Sequence, residues 1–388
     1  MVAPFQPGPD KVATIRAALP ATGAGIYLDT ATAGPLSVDG VAAMRELLAY
    51  EERIGRADVD SRDAFRERAA EACAVLATLI GATPDAVELS PGTAAGLAWA
   101  AGLPAWRPGQ RLVSTDREHP AVAAVLATLA ASHDVELVRV PVGDASDDDL
   151  VARFAAVVDR RTRLLAVSHV TWDTGTVLPV GRLAALARAA GAWSVIDGAQ
   201  AVGAIPVDVP GLGADVYAFS GYKWLLGPQG VGGLWRSPGA QAAVDPPAAT
   251  LHRPSVAAVA RTVGWLEMHV GLPWALERAA RLAAVTAASL AAIVGVEVLT
   301  PVPLPATIVT FRIAGWPAAI ARAALARRVF AICEAIEPLD AIRASVGWFN
   351  TSTELERFVA AVAELAAATP STLPERPRLL VLPADGGR

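Results

Sequence analysis

The chain has 388 residues, 53% of them hydrophobic, and a formal net charge of −5. That length allows a large core and two domains, and the mild acidity gives no electrostatic case for nucleic acid or an anionic membrane. Cys73 and Cys333 are too few for a disulfide framework and fit a reducing cytoplasm.

The N-terminus carries Pro4, Pro7, Pro9, Asp10 and Lys11, a Pro-rich arm without the apolar centre of a signal peptide. A helix is predicted over 11–19 and a short strand at Ile26-Tyr27-Leu28-Asp29. The loop Thr30-Ala31-Thr32-Ala33-Gly34-Pro35 is small enough to admit a ligand, and is equally a plain turn. Helical periodicity covers 38–50 and 61–80, and Gly81-Ala82-Thr83-Pro84 ends the second run.

A strand over 87–90 leads into Pro91-Gly92-Thr93-Ala94-Ala95, which opens a helix. Gly92 and Thr93 offer backbone N–H groups, a hydroxyl and the positive end of the helix dipole to a phosphate; Thr93 is equally a cap. The strand at 111–114 is followed by Thr115-Asp116-Arg117-Glu118-His119-Pro120, and another strand spans 135–140. Asp147-Asp148-Asp149 are adjacent carboxylates without spaced partners, a poor cage, so no metal is expected. A helix over 149–158 and a buried strand over 164–169 follow, and the strand runs into Val170-Thr171-Trp172-Asp173-Thr174-Gly175-Thr176.

After a crossover helix at 183–190, Ser194-Val195-Ile196-Asp197-Gly198-Ala199-Gln200 reads as a buried strand ending in an acid. Such an acid faces the crevice where α/β proteins bind ligands, or caps a helix. Val216-Tyr217-Ala218-Phe219 leads to Ser220-Gly221-Tyr222-Lys223-Trp224 and a Gly-rich turn at 227–233. A lysine at a buried strand end loses charge stabilisation, and its neutral amine can add to a carbonyl cofactor; Lys223 is equally an ordinary surface lysine at a strand end. A protonated pyridine nitrogen needs an anionic partner, which Asp197 would supply, while Gln200 could reach the ring's phenolic oxygen. Strands alternating with helices predict a mostly parallel sheet with right-handed crossovers.

A linker at 237–250 precedes helices at 256–270 and 273–293, strands at 296–299 and 308–313, and a helix at 318–328. A closing helix at 354–368 and an extended Pro-rich end after Pro370 complete the chain. Glu297, Pro301, Pro303 and Pro305 break the apolar stretches, so no membrane span is expected.

Asp197-Gly198-Ala199-Gln200 followed by Ser220-Gly221-Tyr222-Lys223 resembles the class V aminotransferase family of fold type I pyridoxal-phosphate enzymes. That family includes cysteine desulfurases, selenocysteine lyases, isopenicillin epimerase-like proteins, kynureninases and C–S lyases. The resemblance runs from Ile26 to Thr351. It implies an α/β fold, with a large cofactor-binding domain over 22–245 and a smaller α+β domain formed by 1–21 and 246–388. It implies pyridoxal 5′-phosphate on Lys223, with Asp197 at the ring nitrogen and His119 stacked on the ring. Gly92, Thr93, Ala94, Ser220 and Tyr222 are expected around the cofactor, with Thr171 and Gln200 at its edge. Arg343, in an Arg-x-Ser…Asn-Thr signature, is expected to grip the substrate α-carboxylate with a bidentate fork, beside Thr30 and Ala31.

Two positions depart from the family pattern. Trp172 stands where desulfurases carry asparagine; it accepts no hydrogen bond, so it forms an apolar wall or points away and leaves the work to Asp173 or Thr174. Arg253 stands where many relatives have a threonine that reaches the partner subunit's phosphate, so it is expected to clamp that phosphate across a C2 homodimer.

Persulfide-forming desulfurases need a cysteine on a mobile loop before the Arg-x-Ser strand. Cys333 lies ten residues before Arg343 in an apolar, strand-like setting, and buried thiols are usually inert. Tyr222 also stands where those enzymes commonly have histidine. The expected activity is therefore β-elimination, a C–S lyase on a cysteine S-conjugate or related β-substituted amino acid. Aminotransferase or epimerase is the alternative; cysteine desulfurase and a non-catalytic cofactor-binding scaffold fit less well. Trp172, Trp224 and Trp348 hint at a bulky substrate, although core packing explains each equally.

Overall fold

Among the described residues, thirteen strands define the architecture: β1 (Ile26–Tyr27), β2 (Val87–Ser90), β3 (Arg111–Thr115), β4 (Glu136–Val140), β5 (Thr162–Ser168), β6 (Trp193–Asp197), β7 (Val216–Ser220), β8 (Gly232–Arg236), β9 (Val296–Val298), β10 (Ile308–Ile313), β11 (Ala331–Ile332), β12 (Glu334–Ile336) and β13 (Ala341–Ser345). The computed structural model describes residues 9–243, 245, 250–301 and 306–373. Most of the Pro-rich arm, most of the Pro-rich end, and Pro303 and Pro305 lie outside them.

The large sheet has seven strands in the order β2-β8-β7-β6-β5-β3-β4. β3 to β7 pair in parallel, while β8 runs antiparallel to both β2 and β7. β7 and β8 are buried at every position, which is why they read as unbroken apolar runs rather than alternating ones. Alternate side chains feed two cores. Leu165, Val167, Ile196 and Phe219 join the core on one face; Leu164, Ala166, Val195 and Ala218 join that on the other. The second core receives the apolar sides of the helices Thr93–Ala100 and Pro120–His133, through Leu97, Val122 and Leu126. Those two helices therefore begin at the sheet edge where ligands are expected.

A second, antiparallel sheet has the order β12-β13-β10-β9. Helices Leu272–Ala291, Ala318–Val329 and Ser352–Ala366 contribute Ala283, Leu290, Leu325, Phe358 and Val362 to its core. β1 pairs in parallel with β11, and Asp29 bridges to Ser345 of β13. This threading holds the loop after Asp29 against the second sheet.

Packing in the cores of the two sheets crosses residues 22 and 245. Ile26 and Leu28 belong to the core of the second sheet. Ile15, Leu19, Val256, Val259 and Val263 belong to that of the large sheet. Composition marks a linker, but pairing and packing across it decide which core a segment joins. Among the described residues, no helix is long and apolar enough to cross a membrane.

Candidate active site

The strands β5, β6 and β7 end together at Ser168, Asp197 and Ser220. Their parallel register puts these ends at one edge of the sheet, the place where open α/β sheets bind ligands. A cavity of about 670 Å³ opens there, reaching from the start of the helix Thr93–Ala100 to β12 and β13. This is within the range of small-molecule sites.

Lys223 lies just beyond β7 and is 8% exposed. Burial pulls its ammonium down to about 8; Asp197 opposes the shift and Arg343 adds to it. Among the described residues its Nζ makes no hydrogen bond, and the side chain lines the cavity. Asp197, 6% exposed, accepts the Ala199 N–H on Oδ1 at 2.8 Å. Burial raises its carboxyl pKa, against that hydrogen bond and the Lys223 charge.

The loop at 30–35 is pressed onto this pair. Gly34 donates to the Tyr222 carbonyl at 2.8 Å, and a Cβ at Gly34 would sit 2.2 Å from the Lys223 oxygen. The small residues thus admit a neighbouring backbone as much as a ligand. Gln200 donates to the Ala31 carbonyl at 3.0 Å and accepts from Trp224 Nε1 at 2.8 Å, which fixes its amide at the cavity wall. Trp224 is buried against Ala31 and spends its N–H on this bond.

At the opposite end Gly92 adopts φ +149°, a conformation that glycine tolerates and other residues rarely do. It precedes the helix Thr93–Ala100. The Thr93 N–H donates to Ser220 Oγ at 3.3 Å, and the two hydroxyls lie 2.8 Å apart. Gly92, Thr93, Ala94, Ser220 and Tyr222 all line the cavity. A helix start with two hydroxyls is suited to an anion.

His119 caps the helix Pro120–His133 by accepting the Ala121 N–H at 3.2 Å, and still faces the cavity. Burial lowers its pKa, with Lys223 and Arg343 adding to the effect. Trp172 lies edge-on to it at 5.2 Å and also lines the cavity.

Arg343 of β13 is 3% exposed. Its Nη1 donates to the Trp172 carbonyl at 2.8 Å; its Nη2 donates to Thr32 Oγ1 at 2.5 Å and Asp29 Oδ1 at 3.2 Å. Its buried Nε has no hydrogen-bond partner among the described residues.

Three expected site residues are placed elsewhere. Thr30 is buried and does not line the cavity; Thr32, two residues on, reaches Arg343 instead. The Thr171 hydroxyl turns into its own loop, bonding Thr174 Oγ1 and the Thr176 N–H, while Ser168 takes its place on the cavity wall. Arg253 is committed within its own chain. Its Nε pairs with Glu51 at 2.6 Å, its Nη2 donates to the Ser61 carbonyl and hydroxyl, and the guanidinium stacks over Phe65.

Other residues of the site drew no attention in the sequence. Glu118 is buried, accepting from Thr115 Oγ1 at 2.5 Å, the Ser168 N–H at 3.2 Å and Ser168 Oγ at 2.6 Å. Burial pushes its pKa up to about 7 despite these bonds. Glu334 pairs with Arg343 from β12, and Asp29, just beyond β1, accepts from its Nη2. An acid preceding His119 and an acid ending a strand were the available signals, but neither says which partner it meets.

A family model described as aminotransferase class-V matches residues 26–250. The chain belongs to the class V aminotransferase family. The cofactor of that family is pyridoxal 5′-phosphate. Among curated members of the family, a cysteine desulfurase of Pectobacterium atrosepticum is 42% identical over 129 residues, 33% of this chain and 31% of the relative. An isopenicillin N epimerase of Streptomyces clavuligerus is 38% identical over 174 residues, 44% of each chain. The matched stretches thus span less than half the length of these relatives. The solved cystine C–S lyase C-DES, in complex with its reaction product cysteine persulfide, superposes with a TM-score of 0.83 at 22% identity. That match covers 89% of this chain and 99% of the lyase, and it shows the shared fold.

The residues present fit the family's cofactor. A buried lysine without a hydrogen bond, a buried carboxylate one strand away, a hydroxyl-lined helix start and an unpartnered guanidinium nitrogen surround one cavity.

Proposed function

We propose that the protein is a C–S β-lyase acting on a cysteine S-conjugate or a related β-substituted amino acid. When bound, pyridoxal phosphate supplies an electron sink that acidifies the Cα proton of an amino acid. Lys223 would carry the cofactor, Asp197 would hold the charge of its ring nitrogen, and Thr93 with Ser220 would receive its phosphate. His119 would cover the ring. Arg343 would bind the α-carboxylate, oriented by Asp29, Thr32 and the Trp172 carbonyl. Lys223 Nζ, neutral for a good part of the time near pH 8, would take the Cα proton. The β-sulfur then leaves, and the net reaction consumes water and yields a thiol, pyruvate and ammonia.

One observation carries the choice of reaction. Neither cysteine lines the cavity, and burial pushes the Cys333 thiol up to about 12. A thiol that is protonated at physiological pH and packed in the core of the second sheet is poorly placed to receive sulfur. A C2 homodimer in the cytoplasm accords with this reading.

The test is to incubate the holoenzyme with S-alkyl cysteines and assay pyruvate and thiol together. Stoichiometric release, lost in Lys223→Ala along with the visible absorbance of the bound cofactor, supports the lyase. Amine transfer to a keto acid without pyruvate overturns it.

A further inference from the structure

Glu334 is a titratable group on the cavity wall that the proposed reaction does not use. It begins β12, the edge strand of the second sheet, and is paired in register with Arg343 of β13. Directly opposed residues on antiparallel strands project to the same face, about 5 Å apart at Cβ. The Glu334 carboxylate and the Arg343 guanidinium therefore enter one cavity side by side.

They differ in how they are held. Arg343 is locked by Trp172, Thr32 and Asp29, and Asp29 already provides its counter-charge at 3.2 Å. Glu334 is half-buried, and among the described residues the one hydrogen bond to its side chain comes from the N–H of the next residue, Ala335, at 3.0 Å. Among the described residues it has no ion pair. A carboxylate left unpaired beside a cavity lowers the energy of a cation brought to it and repels an anion. Every other cavity charge has a use in the proposed reaction: Lys223, Asp197 and His119 serve the cofactor, and Arg343 the α-carboxylate. Glu334 faces the remaining space, next to the α-carboxylate anchor.

We infer that Glu334 selects amino acids whose side chain ends in a cationic group, such as S-(aminoalkyl)cysteines, over neutral or acidic ones. The inference rests on Arg343 binding the α-carboxylate; it deepens the reading above by naming the substrate class.

Binding tests it without turnover. Ornithine and norleucine are near-isosteric, differ by an ammonium in place of a methyl, and carry no leaving group at Cβ. Each is titrated into the holoenzyme and followed by the cofactor's absorbance. A charge-assisted contact predicts roughly tenfold tighter binding of ornithine. Glu334→Gln, at a half-buried edge position that should fold, is expected to bring the two within about twofold by weakening ornithine alone; Glu334→Lys should favour aminoadipate instead. Equal binding of the two by the unaltered protein, or an ornithine preference that survives Glu334→Gln, overturns the inference. Pyruvate assays separate the readings. Ornithine preference without pyruvate from any S-conjugate keeps this inference and removes the lyase. Pyruvate release with no cationic preference does the reverse.

Discussion

The hydroxyls of Thr93 and Ser220 lie 2.8 Å apart although 127 residues separate them in the chain. Thr93 begins a helix and Ser220 ends β7, so the bond ties the helix's positive end to the strand that leads to Lys223. Ser220→Ala removes the acceptor of the Thr93 N–H and one hydroxyl of the anion cradle. Cofactor affinity is expected to fall about tenfold, the cost of one or two charge-assisted hydrogen bonds. Titration of the apoprotein with pyridoxal phosphate, read by protein fluorescence, checks this; an unchanged dissociation constant places the phosphate elsewhere.

Lys223 predicts a pH dependence of the apoprotein. Its pKa is about 8 in the fold and 10.5 as a free side chain. Between those values the unfolded chain holds a proton that the native chain has lost. Stability therefore rises with pH across that window, by about 3 kcal/mol in total. Lys223→Met should lack the rise. Denaturant midpoints of both apoproteins at pH 7.5 and 10 decide it.

Glu118 predicts the opposite slope in a different window. Its carboxyl titrates near 4.5 when free and at about 7 in the fold. Between those values the native chain holds the extra proton, so stability falls as pH rises, again by about 3 kcal/mol. Glu118→Gln should flatten the profile between pH 5 and 7. Retention of the full slope would assign it to another group.

Buried Arg343 pairs with half-buried Asp29, and breaking one side leaves the other charge unpaired. Arg343→Ala is expected to cost about 3 kcal/mol of stability and to raise KM by about two orders of magnitude. Adding Asp29→Asn should recover most of the stability and none of the KM. Recovery of both would mean that Arg343 acts on the fold alone.

Cys333 is packed among Val329, Ile342 and Ala344 in the core of the second sheet. Cys333→Ala should retain full turnover and lose about 1 kcal/mol of stability from the small cavity. Loss of activity in a variant with native circular dichroism would restore a persulfide route.

The sequence alone sufficed for much of this architecture. Helical periodicity marked 38–50 and 61–80 and an apolar run marked 164–169; the structure places these elements at Val38–Ile54, Val59–Leu79 and Thr162–Ser168, shifting their ends by up to four residues. The separation of Asp197 and Lys223 by one strand unit was also legible, since consecutive parallel strands end at the same edge. What a strand end presents was not. Thr171 and Ser168 are three residues apart in one segment, yet the Thr171 hydroxyl closes a turn while Ser168 lines the cavity with its hydroxyl bonded to Glu118. Arg253 could equally have reached out or in, and only the packing of its helix against the helices Val38–Ile54 and Val59–Leu79 supplied Glu51 and Ser61. The opposition of Glu334 and Arg343 required the register of β12 against β13. A one-residue slip there would have turned one of them away. Local pattern determines where elements form, because it depends on neighbouring residues. Partner choice depends on contacts between residues far apart in the chain, and those exist only after it has folded.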